Sequence, residues 1–193
     1  CTPPAPSGGP GLQIALGILN QTDIGERSTK DEKAWFEFAQ ASRLAYADRD
    51  RYIGDPDFVA VPVEMLLSKS YAAEVAGRIR RGEKADVPRF SADGPSKDTT
   101  QICVTDREGN CVSMTHSLGM PSGVVTPGLG FMYNGCMGVF DPRPGHAGSI
   151  APGKARFSSV CPSIIFRDGA PVLVIGAPGA TQIAMGVLQA TLN

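Results

Sequence analysis

The side-chain pattern of this chain changes period near residue 99, and that change limits the fold more than any other feature. Before it, inward-facing positions recur at helical spacing: Leu12, Ala15, Leu16 and Leu19, then Trp35, Phe38, Ala39, Ser42 and Ala45. After it, the pattern alternates. Ile102-Cys103-Val104-Thr105 meets Cys111-Val112-Ser113-Met114-Thr115 across a short turn, Asp106-Arg107-Glu108-Gly109-Asn110, whose glycine can take positive φ. Ile164-Ile165-Phe166 and Val172-Leu173-Val174-Ile175 close in the same way around Arg167-Asp168-Gly169-Ala170. Helices, then antiparallel hairpins, then a last helix from Gly179 predict a layered α+β architecture.

Punctuation refines the helical half. Residues 3–10 form a proline- and glycine-rich loop. Thr29 with Glu32 three residues on has the capping-box spacing, so the second helix is expected to start there, with Ala41, Ala45 and Ala47 allowing close packing. Asp55-Pro56-Asp57 is a turn, because Pro56 disfavours helix at Asp55. A helical turn is expected over 63–67, and a further helix over 71–80 with Tyr71, Val75 and Ile79 inward. Residues 82–97 are polar and broken by Pro88 and Pro95, as expected of a processed or mobile connection. Residues 119–138 read as a glycine-rich loop with short strands.

Composition excludes several function classes. The 193 residues carry a formal net charge of -1, which gives no field for nucleic acid or an acidic membrane. The cluster Arg78, Arg80, Arg81 and Lys84 reads as a solvated helix end. Five cysteines without a CxxC pair, and only two histidines, argue against structural zinc. Their odd number speaks against a disulfide framework and leans towards a reducing, cytoplasmic compartment over a periplasmic one. No apolar run is long enough to span a membrane. A start at Cys1 in place of Met is expected of a piece of a longer, processed protein.

The chemical candidates are few. Thr99-Thr100 opens the first alternating run, and a Thr-Thr pair there is ordinarily β-propensity alone. Thr99 becomes a nucleophile only if the bond after Asp98 is cut, since an adjacent free α-amine can activate its hydroxyl. Ser158 and Ser159, with Arg156 or Lys154 nearby, suit a carboxylate or simply a turn. Gly176-Ala177-Pro178-Gly179-Ala180-Thr181 runs from strand to helix, where backbone N–H groups can hold an oxyanion, and it lacks nucleotide-loop spacing. Cys1 is a rival N-terminal nucleophile. His116 reads as a polar strand residue and His146 as a surface one. The acid pairs Asp48/Asp50 and Asp55/Asp57 read as helix-end and turn residues.

Taken together and in order, Thr99-Thr100, the 106–110 turn, Val112-Ser113-Met114-Thr115, Ser122-Gly123-Val124-Val125, Pro127-Gly128, Ser158-Ser159 and Pro178-Gly179 resemble the gamma-glutamyltransferase family of N-terminal-nucleophile hydrolases. So do Ala47-Asp48-Arg49, Gly54-Asp55-Pro56-Asp57-Phe58, Val61-Pro62 and Leu67-Ser68-Lys69 in the first half. The resemblance implies a sandwich of two antiparallel sheets between helical layers, of which this chain is an incomplete part. It implies a precursor that cuts itself between Asp98 and Thr99. Residues 1–98 would end the large subunit and 99–193 begin the small one, both within one composite domain. By the same resemblance Thr99 is the nucleophile, Ser117 (usually threonine) orients its amine, Ser158 and Ser159 touch the substrate carboxylate, and Gly179 and Ala180 supply the oxyanion N–H groups. Alanine at 180 is compatible with that role at negative φ.

The departures bear on substrate. Gly119 stands where glutathione-active members carry asparagine, Val139 where they carry an acid, and the loop between Gly119 and Ser122 is shorter. Without those partners a substrate α-ammonium loses charge-assisted contacts. The expectation is therefore an amidohydrolase or acylase acting on a small amide whose acyl part bears a carboxylate, through a threonyl ester. It needs no metal or organic cofactor, and its partners are the rest of its own subunits. True γ-glutamyl transfer and a non-catalytic member are the alternatives.

Overall fold

The computed structural model describes residues 1–84 and 99–193. Most of the expected polar connection, and Asp98, lie outside the described residues. The helical half contains α1 (Gly9–Leu19), α2 (Glu32–Tyr52), the single turn α3 (Val63–Leu66) and α4 (Lys69–Arg80). The rest contains β1 (Thr99–Thr105), β2 (Cys111–Ser117), β3 (Pro121–Val125), β4 (Met132–Asn134), β5 (Ser163–Arg167), β6 (Ala170–Ile175) and α5 (Ile183–Leu192).

Helix α1 is apolar almost all round and forms the centre of the core. Leu12, Ile14, Ala15, Ile18 and Leu19 pack with Ala41, Leu44 and Ala45 of α2, Val75, Ala76 and Ile79 of α4, and Ile183, Val187 and Leu188 of α5. Each fully buried aliphatic side chain there contributes on the order of 1.5–3 kcal/mol. The close approach of α2 rests on Ala41 and Ala45, as its composition predicts.

Two expectations for α2 need correction. Its cap is Asp31, whose carboxylate accepts the Lys33 N–H at 2.8 Å; Thr29 lies outside the helix and its carbonyl accepts the Trp35 indole N–H. Trp35, 46 % exposed, and Ala39 turn outward, while Ser42 and Ala45 are buried as expected, in a stripe that also takes in Ala34, Glu37, Gln40, Ala41 and Leu44. Small side chains let the helix axes approach more closely than the large indole would. In α4, Ser68 caps the start through the Tyr71 N–H, and Tyr71 itself is half-buried with its hydroxyl on Asp48 at 2.8 Å. The basic cluster at its end is a paired one: Arg78 and Arg81 reach Glu83, and Arg80 donates to the Gln21 carbonyl.

The strands form three antiparallel hairpins, β1-β2, β3-β4 and β5-β6. Asp168 and Gly169 both take positive φ between β5 and β6, as a tight primed turn requires. The β1-β2 register pairs Thr99 with Ser117, Gln101 with Thr115 and Cys103 with Ser113. Cross-strand partners share a face, so one side of this hairpin is a double row of polar groups. Thr100, Ile102 and Val104 with His116, Met114 and Val112 make the other side, which is exposed.

Candidate active site

The polar face of the first hairpin is held against the end of β6. Thr115 donates to Gln101 Oε1, Gln101 Nε2 donates to Ser113 Oγ at 3.0 Å, and Ser113 Oγ donates to the Ile175 carbonyl at 2.9 Å. The next residue is Gly176, and a Cβ there would fall 2.2 Å from Gln101 Oε1, so a larger residue would displace the amide from that strand end. Gln101 and Ser113 were not among the candidates read from sequence; the polar half of the alternation was the signal for them.

At the head of the same face Thr99 Oγ1 and Ser117 Oγ are 2.9 Å apart, half-buried, with Ser117 Oγ also accepting the Gly119 N–H at 2.9 Å. Ser117 therefore touches the Thr99 hydroxyl. In the uncut chain the Thr99 nitrogen is an amide, whose lone pair is delocalised and cannot serve as a base. Only a cut before Thr99 turns it into an amine able to accept the hydroxyl proton. A hydroxyl has one proton and two acceptor sites, so Ser117 can accept from Gly119 and still give or take a proton at Thr99.

Gly119 has φ of +68°, and a Cβ there would lie 2.7 Å from Cys136 Sγ and 3.7 Å from Arg156 Nη2. The thiol of Cys136, buried and within 3.2 Å of the Leu118 carbonyl, fills the space a larger residue at 119 would need. Gly119→Ala should destabilise the protein by about 2–4 kcal/mol, from left-handed strain plus overpacking. Thermal melting of that variant beside Gly119→Ala/Cys136→Ala checks it, the double variant recovering the overpacking part.

The remaining candidates fall in two places. Arg156 lies on the Gly119 side, with Nη1 donating to the Phe157 carbonyl at 2.9 Å. Lys154 turns away, its Nζ on the Ala147 carbonyl and near the Phe58 ring, so of the two cations only Arg156 stands by the hairpin site. The Ser158-Ser159 loop is fixed to the 6–8 segment by the Ser158 N–H on the Pro6 carbonyl and the Gly8 N–H on the Val160 carbonyl. Ser159 lines a narrow crevice with Tyr46, Arg49, Phe157 and Thr181. Val139 is exposed at the end of the short turn Cys136–Val139.

Gly179 and Ala180 follow β6 after the three residues Gly176, Ala177 and Pro178. Here an expectation fails: Ala180 has φ of +51°, left-handed, and Gly179 has +133°. Alanine tolerates that conformation at a cost of about 1 kcal/mol. His116 is exposed on the apolar face, opposite Thr100, and His146 is exposed in its loop. Cys1 pairs its backbone with Ile164 beside β5. Among the described residues, no group of three or more His, Cys, Asp or Glu could hold a metal ion. No described helix is long and apolar enough to cross a membrane.

The chain is 40 % identical over 195 residues to the acylase ACY 1 proenzyme of Pseudomonas sp. (strain V22), covering 99 % of this chain and 35 % of that protein. It is 34 % identical over 207 residues to the glutathione hydrolase proenzyme of Escherichia coli (strain K12), covering 99 % of this chain and 36 % of that one. The chain thus spans about a third of the length of these relatives. A cephalosporin acylase from Bacillus halodurans superposes on the whole chain with a TM-score of 0.84 at 27 % identity, over 34 % of its own length. The helical layer and hairpins are accordingly part of the α+β fold of these enzymes. The model of the gamma-glutamyltranspeptidase family matches residues 1–193, and the chain belongs to that family.

Proposed function

We propose that the whole protein is a self-processing amidohydrolase whose nucleophile is Thr99. Residues 1–98 belong to the large subunit and 99–193 to the small one. The observation that carries this reading is the 2.9 Å contact between the Thr99 and Ser117 hydroxyls at the head of β1. In maturation Thr99 Oγ attacks the Asp98 carbonyl, its proton passes to the departing nitrogen, and water hydrolyses the resulting ester. In turnover Thr99 Oγ attacks the substrate amide while its freed amine takes the proton. Gly179 and Ala180 N–H groups hold the oxyanion. The proton then goes to the leaving amine, and water, or a second amine, resolves the threonyl ester. The scheme calls for no metal or organic cofactor.

The acyl group is one that bears a carboxylate and lacks an α-ammonium. Support comes from Arg156 and the Ser158-Ser159 loop as carboxylate partners, and from Gly119, whose space is taken by Cys136. Val139 offers no negative charge. The name of the acylase relative points the same way. The glutathione hydrolase relatives support a second reading, γ-glutamyl hydrolysis with ammonium contacts supplied by residues outside this chain.

Assaying the full-length protein on a dicarboxylic acid monoanilide and on a γ-glutamyl anilide separates the two. Losing one charge-assisted contact is worth about 1.5–3 kcal/mol, so the monoanilide should be favoured in kcat/KM by about 10- to 100-fold. Preference for the γ-glutamyl anilide selects the second reading. An intact chain inert to both shows a non-catalytic member.

A further inference from the structure

Two residues of positive φ in succession, the alanine of them strained, need support from outside their own turn, and for Gly179 and Ala180 that support comes from the other half of the chain. The Tyr46 hydroxyl of α2 donates to the carbonyl of Thr181, one residue beyond Ala180 and 135 residues away in sequence. The Tyr46 ring is itself held. The Arg49 guanidinium lies 4.5 Å from its centroid and 5.1 Å from that of Phe157, and an ion pair with Asp50 at 2.6 Å fixes the guanidinium. Tyr46 and Arg49, three residues apart on one helix face, thus reach both the turn after β6 and the loop that carries Ser158 and Ser159. Burial pushes the Tyr46 hydroxyl above its ordinary pKa, so it stays a donor throughout the neutral range.

We propose that Tyr46 is a positioning residue for the oxyanion turn: its O–H holds the Thr181 carbonyl and thereby aims the Gly179 and Ala180 N–H groups, placing turnover at Thr99 under the control of α2. The inference rests on the assignment of those N–H groups to the oxyanion. It goes beyond that assignment, because none of the roles given above in turnover falls to a residue of α1, α2, α3 or α4.

The test is Tyr46→Phe in the full-length protein, which keeps the ring under Arg49 and against Phe157 and removes only the donor. Turnover of the preferred anilide and inhibition by an alkylboronic acid bearing a terminal carboxylate are measured together. The boronate forms a tetrahedral adduct on Thr99 and so samples the same N–H groups as the transition state. Losing an oxyanion donor outright costs about 10²–10³ in kcat, and misaiming one should cost about 10-fold. The expected result is a roughly 10-fold fall in kcat, KM within about twofold, and a parallel rise in the boronate Ki. Unchanged kcat and Ki, with the adduct still on Thr99, overturns the proposal and leaves the function reading intact. No adduct on Thr99 in the wild type overturns the function reading itself. If Tyr46→Phe fails to mature, its melting temperature decides. A value within about 2 °C of wild type supports positioning, and a larger fall assigns Tyr46 a merely structural role and overturns it.

Discussion

Thr99→Ala should leave the full-length precursor as one uncut chain and lower amide turnover by about 10⁴-fold or more, the scale seen when a covalent nucleophile is deleted. Both losses share one cause. In the proposed mechanism the hydroxyl that attacks the Asp98 carbonyl in maturation is the one that attacks substrate afterwards, and alanine has no atom in its place. The fold should survive, because Thr99 is only half-buried at the head of β1 and alanine fits any strand backbone. Thr99→Ser should restore partial cleavage and partial turnover together, since it keeps the oxygen and loses only the methyl group. Intact mass reads the cut, and steady-state kinetics read the activity. Cleavage between residues 98 and 99 in Thr99→Ala would remove Thr99 from the mechanism.

Ser117→Ala removes two contacts at once: the hydroxyl partner of Thr99 and the acceptor of the Gly119 N–H. Losing a group that helps move a proton at the nucleophile slows catalysis by about 10²-fold. Self-cleavage of the precursor and turnover of the mature protein should both slow on that scale. Losing the Ser117 bond to the Gly119 N–H adds a stability cost of about 0.5–1.5 kcal/mol. Ser117→Thr keeps the oxygen and should restore both rates, which separates loss of the hydroxyl from loss of packing. Normal rates in Ser117→Ala, followed by stopped-time mass measurement and by kinetics, would leave the Thr99 contact without a catalytic part.

Two of the three hairpins were legible because two local signals agreed in each: alternation, and a glycine-bearing turn at Gly109 or Gly169. The first strand opens at Thr99, where the Thr99-Thr100 pair heads the alternating run, and it sets Thr99 and Gln101 on the polar face. The α2 cap and part of its inner stripe were misread. Asp31 competes with Thr29 as the oxygen acceptor for the first turn's N–H groups, and Trp35 draws attention that belongs to Ala34 and Ala41.

At the site, the pairing of Thr99 with Ser117 follows from the register, which a short turn largely sets. The thiol filling the space beside Gly119, and the phenol supporting the turn after Ala180, were not legible. Cys136 and Tyr46 reach their partners through tertiary packing across long stretches of chain, and no local pattern encodes such a meeting. The sign of φ at Ala180 belongs to the same class, since it is imposed by how β6 must enter α5.

The two-sided character of the first hairpin has a consequence for how this gene can drift. Parity along β1 decides which way every side chain points, so an odd-numbered indel between Thr99 and the tip at residues 106–110 would send the Thr99 hydroxyl to the greasy side and carry Val104 or Ile102 inward. The tip itself is free of that constraint: it can lengthen or shorten while both arms keep their phase. Length variation among descendants of this chain should therefore collect at the tip and be purged from the arms.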